Sequence, residues 1–422
     1  MVELQRTLSL WQVTFMSVGI ILGAGIYVII GEAAGLSGNS IWLSFLIAAF
    51  VATLTALSYA ELSSIFPKAG AEYVYIENSF GNRAAWIVAW LLLLGSVIGG
   101  ATVAMGFAQY FSAIFHTPVI PVALLLLFVI IIILIVGVQQ TAKLTIVFTA
   151  IEISGLAIVI FIGIPFIGSV NYLQAAQGFK GIIEAGILIF FGYLGFEGIT
   201  RLAEETTNPE KNIPRAIIYS MIITTILYVL VGVSAVSVIP WQELSASQAP
   251  LATVAKRIFG DQSFLILSVI ALFSTFNTAL MFLLTGSRLI YGIAHQEAIP
   301  KIFTIVGRRF RTPWVAIVTI VTATMLFLFL GNLKTIANLT NFTIFSVFIF
   351  INASVIYFRY KKPTMTGFRI PLHVGRFPVV PFLGILTSVF MIVNLPFDVL
   401  IIGVILVVLG VVVDSILNLK YK

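Results

Sequence analysis

The stretch Gly19-Ile-Ile-Leu-Gly-Ala-Gly-Ile-Tyr27 decides the fold of this protein, because it places closely spaced glycines inside a long apolar run. The stretch Phe190-Phe-Gly-Tyr-Leu-Gly-Phe-Glu-Gly198 repeats this pattern, and the two centres, positions 24 and 194, lie 170 positions apart. A glycine destabilises a helix interior by about 1 kcal/mol relative to alanine, so a cluster of glycines favours local unwinding. Within a membrane, unwound backbone is tolerated only where it is buried in protein or lines a water-filled cavity. If these runs cross a membrane, they predict two interrupted helices at a functional site.

The composition of the chain indicates that the runs do cross a membrane. Hydrophobic residues make up 60% of the 422 positions and charged residues only 9%, whereas a soluble globular protein carries about 25% charged residues. There is no cysteine, and the three histidines are scattered along the chain. Disulfides, thiol catalysis and Cys-ligated metal sites are therefore excluded, and no metal site is predicted. No paired catalytic carboxylates and no nucleophile with an adjacent base are evident, so an enzyme is not predicted.

Apolar stretches long enough to span a bilayer, roughly 17 to 25 residues, predict an all-α membrane protein of about twelve transmembrane helices in one domain, 1–422. The predicted spans are 11–36, 40–65, 82–113, 119–138, 143–167, 181–203, 213–239, 262–294, 314–331, 335–358, 379–396 and 398–418. Two connectors are amphipathic: we expect 69–80 to form a helix along the membrane surface and 241–258 to form a short external helix.

The distribution of basic residues predicts the orientation. With the N-terminus inside, the outer loops hold four basic residues, Lys180, Lys256, Arg257 and Lys334, which leaves nineteen of the 23 on the inner side. Positive charge is concentrated in cytoplasmic loops, so both termini are expected in the cytoplasm of a cell-membrane protein. This asymmetry also accounts for the net charge of +7 by contact with lipid headgroups, and no nucleic-acid partner is predicted.

The two interrupted helices predict an inverted repeat. They lie in the first and sixth spans, which are five apart in order, so they run in opposite senses, which is typical of transporters built from two inverted halves. Helices one to five (about 11–167) would form one repeat and helices six to ten (about 181–358) the other, with two C-terminal helices (about 379–418) outside it. The alternative is helix packing, because Gly19 and Gly23 also form a GxxxG pair.

An interruption of this kind offers groups for a zwitterion. The second half-helix begins with free N–H groups and the positive end of its dipole, which suit a carboxylate. The first half-helix ends in free carbonyl groups, which suit an ammonium group or a cation. One interrupted helix therefore provides partners for both charged groups of an amino acid.

The flanking motifs resemble those of the amino acid–polyamine–organocation (APC) transporters. They are GAGIY (23–27), FFGYLGFE (190–197), EETTNPEKNIPRAI (204–217), YAELSSIFPKAGAEY (59–73) and SRLIYG (287–292). The resemblance implies the leucine-transporter fold, with helices 1 and 6 unwound, and alternating access around a central site.

The resemblance also implies a substrate site at 23–25 and 191–195. Backbone N–H groups around Ala24 and Gly25, next to Gly23, would hold the substrate carboxylate. Carbonyl groups of Ile21, Phe191 and Leu194, next to Gly195, would receive its ammonium group. Phe191 would also be the gate, an aromatic lid over the bound side chain, although an ordinary packing role is the alternative among 35 phenylalanines.

Glu152 is an ionisable residue in the fifth predicted span. At 1.5 Å per residue it lies about 13 Å deep, and such a residue is a candidate functional site. Proton-coupled members of the family often have a lysine at this position, so the carboxylate is a departure. Glu152 is predicted to carry a proton, to bind a cation or to make a static hydrogen bond. Glu197 is predicted to hydrogen-bond to the unwound segment or to serve as a second protonatable coupling group. The oxygens of Ser274, Thr275 and Asn277 leave sodium as an alternative coupling ion.

The predicted function is secondary active transport of an amino acid, with no cofactor other than a coupling ion. The region around Phe191 has no obvious charge for a cationic side chain, which favours a neutral substrate, and Glu152 favours proton symport. Exchange, a polyamine or cationic amino acid substrate, and a non-transporting sensor or channel are the alternatives. Glu204 and Glu205, close to Arg201, are expected either to close a cytoplasmic gate through ion pairs or to form a solvated loop.

Overall fold

The fold is known from a computed structural model. It describes residues 8–68, 71–136, 138–296, 298–307, 310, 312–329, 333–361 and 367–421, without the side chains of 24, 138–143, 204–205 and 417–421. The first half contains α1 (Leu10–Tyr27), α2 (Ile29–Ser37), α3 (Ile41–Ile65), α4 (Ala71–Phe80), α5 (Asn82–Phe115), α6 (Val119–Val136), α7 (Val138–Gly163) and α8 (Gly178–Phe190). The second half contains α9 (Pro209–Val238), α10 (Trp241–Ala246), α11 (Pro250–Phe259), α12 (Asp261–His295), α13 (Trp314–Phe327), α14 (Leu333–Lys361), α15 (Val379–Val393) and α16 (Phe397–Tyr421).

Short elements complete the described chain. The 3₁₀ helices are Gly38–Ser40, Ile164–Phe166, Phe191–Tyr193, Phe196–Glu205 and Lys301–Thr304. Between α14 and α15, β1 (His373–Val374) pairs antiparallel with β2 (Phe377–Pro378).

The predicted all-α membrane architecture is confirmed. In the described part of the chain, ten helical segments are long and apolar enough to span a bilayer, and α13 and α15 are shorter apolar helices. The first predicted span consists of two pieces, α1 and α2, separated at Val28. The amphipathic connector at 69–80 is helical over α4, while positions 69 and 70 lie outside the described residues.

The external connector differs from the prediction. Instead of one helix over 241–258, the structure has two, α10 and α11. Pro250 takes the first position of α11, where its missing N–H is not needed, so the chain restarts a helix there. Both helices contribute to a close packing on α2: a Cβ on Gly31 would lie 3.0 Å from the Leu244 carbonyl oxygen and 2.9 Å from Pro250 Cγ. These helices therefore cover one end of the first predicted span.

The sixth predicted span lies at the centre of the molecule. Of its most apolar window, within 178–203, 94% is buried, compared with 17% for α16 and 28% for α6. α6 is apolar on all sides, as expected for a helix whose surface contacts lipid. α1 packs against α9, α12 and α7. The two glycine-rich stretches are thereby enclosed by the other helices.

Candidate functional site

The first predicted interruption is present at Gly23. Its backbone is non-helical, with φ −15° and ψ −135°, and α1 is kinked there. The same glycines also serve packing: a Cβ on Gly19 would overlap the Thr149 hydroxyl, and a Cβ on Gly23 would overlap the Thr278 hydroxyl. The GxxxG pair therefore serves both as an interruption and in helix packing, because α1 is interrupted at Gly23 and also lies in close contact with α7 and α12.

The second predicted interruption is present as well. α8 ends at Phe190, a 3₁₀ turn covers Phe191–Tyr193, and Leu194 is extended. Gly195 has a φ of +121°, which L side chains rarely adopt, and the chain continues as a 3₁₀ helix from Phe196. The N–H of Gly195 donates a hydrogen bond of 2.9 Å to Glu197 Oε2. The predicted interaction of Glu197 with the unwound segment is therefore observed.

The two interruptions are in direct contact. A Cβ on Gly25 would overlap the Cα of Gly192, so the two backbones touch at this point. A Cβ on Gly195 would likewise overlap the Ile20 side chain. Glycine is needed at these positions because any side chain would separate the two interrupted helices.

Tyr228 of α9 links the two interruptions. Its hydroxyl oxygen lies 2.6 Å from the carbonyl oxygen of Ile21 and 2.8 Å from that of Gly192. The ring is fully buried and packs edge-on against Tyr193, with centroids 5.1 Å apart. A hydroxyl has one proton to donate, so it can satisfy only one of the two carbonyls at a time. Sequence reasoning missed this residue, since its only signal is one tyrosine among thirteen.

The predicted ligands surround this contact. The Ile21 carbonyl accepts the Tyr228 hydroxyl, and the Phe191 carbonyl accepts the Leu194 N–H at 3.3 Å. The Phe191 side chain is buried and stacks on Phe282, with ring centroids 6.1 Å apart and planes 12° apart. The backbone of Ala24 is helical. The fold thus brings the predicted substrate-binding groups together, and their role in substrate binding remains a prediction.

Glu152 lies on α7 with its carboxyl group fully buried against α12. Oε1 accepts a 3.3 Å hydrogen bond from the Asn277 side-chain amide. Among the described residues, Glu152 Oε2, Asn277 Oδ1 and the Ser274 hydroxyl have no hydrogen-bond partner. Thr275, by contrast, donates to the Ala271 carbonyl of its own helix at 2.7 Å. Of the three predicted oxygen donors, two therefore share the buried polar cluster of Glu152 and one does not.

The cluster around Glu152 is connected to the first interruption. The Tyr27 hydroxyl donates to the backbone carbonyl of Glu152 at 2.8 Å, and the Tyr110 hydroxyl donates to the Tyr27 carbonyl at 2.6 Å. The tyrosine that ends the GAGIY motif thus attaches α1 to α7. A change in the position of α1 would be transmitted to the helix that carries Glu152.

A small cavity of about 30 Å³ adjoins the second interruption. Residues that line it include Ile20, Gly195, Glu197, Arg201, Phe282 and Thr285. Arg201 forms a buried two-point ion pair with Glu72 of α4, with N–O distances of 2.8 and 3.2 Å. This pair holds the end of the sixth span against α4. The side chains of Glu204 and Glu205 lie outside the described residues, as does the gate predicted for them.

The described residues contain no group of three His, Asp or Glu side chains placed to hold a metal ion. The site consists instead of interrupted backbone, buried aromatic rings and isolated carboxyl groups. Such an arrangement offers hydrogen bonds and ion contacts to a small molecule.

Comparisons with known proteins identify the family of the chain. Residues 8–413 match the model of the amino acid permease family. The branched-chain amino acid permease BcaP of Bacillus subtilis is 28% identical over all of this chain and 94% of its own length. The methylthioribose transporter of the same organism is 29% identical over 90% of this chain and 87% of its own length. Cationic amino acid transporter 1 of Arabidopsis thaliana is 27% identical over 87% of this chain and 65% of its own length.

The family match and the apolar helices identify a multi-pass membrane transporter rather than an enzyme. The chain belongs to the amino acid permease family, and the resemblance to the APC transporters is confirmed.

Proposed function

We propose that this protein is a secondary active transporter that imports a neutral amino acid together with protons. The observation that carries the proposal is the contact between the two interrupted helices at Gly25 and Gly192, bridged by Tyr228. Two half-helix ends meet at one buried point, and their backbone N–H and carbonyl groups suit a zwitterion. Alternating access would expose this point to one side of the membrane and then to the other.

The proposed architecture is a five-plus-five inverted repeat in a cell membrane, with both termini in the cytoplasm. The first repeat runs from α1 to α7, the second from α8 to α14, and α15 and α16 lie outside. Support comes from the interruptions in the first and sixth spans and from the excess of basic residues in the predicted inner loops.

In the proposed complex, N–H groups around Ala24 and Gly25 bind the substrate carboxylate. The ammonium group binds the carbonyls of Ile21, Phe191 and Leu194. Because the Ile21 carbonyl accepts the Tyr228 hydroxyl, an arriving ammonium group would direct that hydroxyl to the Gly192 carbonyl, 2.8 Å away. Substrate binding at the first interrupted helix would therefore change the hydrogen bond that Tyr228 makes to the second.

A neutral side chain suits the surroundings of the gate. The Phe191 ring stacks on another aromatic ring, Phe282, and the charges of Arg201 and Glu72 neutralise each other. Some relatives are named for branched-chain and others for cationic amino acids, so both substrate classes need to be tested. One relative is named for methylthioribose, so that compound needs to be tested as well.

Glu152 is the proposed proton carrier. Burial away from water favours the neutral carboxylic acid over the carboxylate, and Asn277 supplies one hydrogen bond to it. Loss of the proton would leave a buried charge on α7, the helix that Tyr27 attaches to α1. Protonation and the position of the first interrupted helix would then be coupled.

Reconstituted uptake tests the proposal. Purified protein in liposomes is supplied with labelled leucine under three conditions. These are an inward proton gradient, an inward sodium gradient, and unlabelled substrate inside the liposomes. We expect accumulation with the proton gradient alone. Competition by all twenty amino acids, polyamines and methylthioribose then identifies the substrate class. Absence of uptake of every tested compound under all three conditions would contradict transport and favour a sensor or channel.

A further inference from the structure

A larger cavity lies away from the interrupted helices. Its volume is about 170 Å³, and it is formed where α3 and α14 end and the chain returns toward α15. A cavity needs about 10–15 Å³ in the same measure to hold one water molecule. This cavity is therefore large enough for a phosphate group and part of the molecule to which it is attached.

The base of this cavity is a buried ion pair. Arg359 Nε and Nη2 each lie 2.6 Å from an oxygen of Glu61. Glu61 Oε2 also accepts the N–H of Ile370 at 2.8 Å. Both carboxylate oxygens are occupied, so the negative charge of Glu61 is neutralised within the wall.

The rest of the polar lining is basic. Arg369, His373 and Arg376 border the cavity and are exposed, and Glu61 is the one carboxylate among the described residues that line it. In the described part of the chain, no carboxylate forms an ion pair with Arg376 or His373. An arginine fork matches phosphate geometry in two-point fashion. The lining therefore attracts an anion.

The hairpin that carries two of these groups also presents apolar side chains. Leu372 is 71% exposed and Val374 is 74% exposed. Gly375 begins the two-residue turn with a φ of +62°, which places Arg376 at the tip between the paired strands. Exposed apolar side chains beside basic ones, at the end of a membrane helix, are placed to contact lipid headgroups.

We propose that this cavity is a binding site for a phosphate-bearing anion, held by Arg369, His373 and Arg376. The ligand would be the headgroup of an anionic phospholipid or a soluble phosphate. Because Arg359 and Glu61 join α14 to α3 directly beneath it, a bound anion would hold the loop 367–378 against the ends of both helices. The site does not depend on the transport function proposed above.

The test measures thermal unfolding of the purified full chain in a neutral detergent. Three compounds are added in separate measurements: phosphatidylglycerol, phosphatidylcholine and inorganic phosphate. The effect of inorganic phosphate is compared with that of chloride at equal ionic strength. Binding to the folded state raises the unfolding midpoint, and we expect a rise of about 2 °C or more with phosphatidylglycerol and none with phosphatidylcholine. The double variant Arg369→Gln/Arg376→Gln should lose this rise.

The matched control is Arg83→Gln/Lys211→Gln, which removes the same charge from exposed positions outside the cavity. It should retain the rise. A rise with inorganic phosphate that also depends on Arg369 and Arg376 would support the site with a soluble ligand. Equal rises in both double variants, or no rise with either phosphate source, would overturn the proposal.

A second measurement covers the case in which the glutamine variant does not fold. Native mass spectrometry of the unaltered protein counts bound phosphatidylglycerol, and Arg369→Lys/Arg376→Lys keeps the charge but removes the two-point geometry. We expect at least one retained lipid in the unaltered protein and fewer in the lysine variant. Equal retention in the two proteins would contradict a site built from these guanidinium groups.

Discussion

The hydroxyl oxygen of Tyr228 lies 2.6 Å from the carbonyl oxygen of Ile21, at the end of the first half of an interrupted helix. The same hydroxyl lies 2.8 Å from the Gly192 carbonyl in the second interrupted helix. One buried side chain of a third helix therefore contacts the free backbone of both. This relationship would connect binding of the proposed substrate at one interruption to the position of the other.

The first prediction concerns this bridge. Tyr228→Phe removes the hydroxyl and leaves two buried carbonyls without this donor. An unsatisfied buried polar group destabilises a protein by about 1–3 kcal/mol. We expect uptake kcat/KM to fall about tenfold or more, since 1.4 kcal/mol is a factor of ten. Tyr219→Phe on the same helix, at a side chain that is 38% exposed, is the control. Equal uptake by both variants would argue against a role for the bridge.

The second prediction concerns the coupling group. Glu152→Gln keeps the shape of the side chain but cannot release a proton, so stimulation by an inward proton gradient should disappear. Exchange of internal for external substrate should continue, because it needs no net proton movement. Glu184→Gln, at a partly exposed carboxylate paired with Lys180, should behave like the unaltered protein. Full gradient-driven accumulation by Glu152→Gln would exclude this residue as the proton carrier.

The third prediction concerns the contact between the interrupted helices. In Gly25→Ala the new Cβ would overlap the Gly192 backbone, so the two helices must separate. We expect loss of uptake and a lower unfolding midpoint. The control is Gly292→Ala, which is the same substitution at a position where the new Cβ would meet nothing within 4 Å. It should change the free energy of unfolding by no more than about 1 kcal/mol. Similar behaviour of the two variants would show that the contact is dispensable.

The fourth prediction concerns the ion pair between α3 and α14. Arg359→Gln leaves the Glu61 carboxylate buried without its partner, which destabilises proteins by about 3–5 kcal/mol. Thermal unfolding in detergent should occur several degrees lower. Lys180, which pairs with Glu184, has a side chain that is 87% exposed, so Lys180→Gln should cost at most about 1 kcal/mol. A small effect at Arg359 would indicate that water solvates the remaining charge.

Much of the architecture was predictable because membrane helices follow simple rules. A bilayer requires long apolar runs with all backbone hydrogen bonds made internally, so hydropathy alone located the ten helical segments of the described chain that are long enough to span it. Glycine clusters located both interruptions, since Gly23 and Gly195 adopt the non-helical backbone that their lack of a side chain permits. The external connector was less predictable, because Pro250 divides it into two helices.

The site was predictable only in part. Its backbone members came from the glycine pattern and the family motifs, which are local in the sequence. Tyr228, Asn277 and Phe282 lie on other helices, and nothing in their local sequence distinguishes them from ordinary span residues. Their proximity to the interruptions depends on how α9 and α12 pack against α1.

The sequence by itself determined that this is a membrane protein with two helices interrupted by glycines and one carboxyl group, Glu152, deep in an apolar run. It could do so because the properties involved, apolar length and glycine flexibility, belong to individual segments. The tertiary structure decided that the interruptions touch, that Tyr228 bridges them and that Asn277 faces Glu152. These are contacts between distant segments, and only packing of the helices brings their atoms within hydrogen-bonding distance.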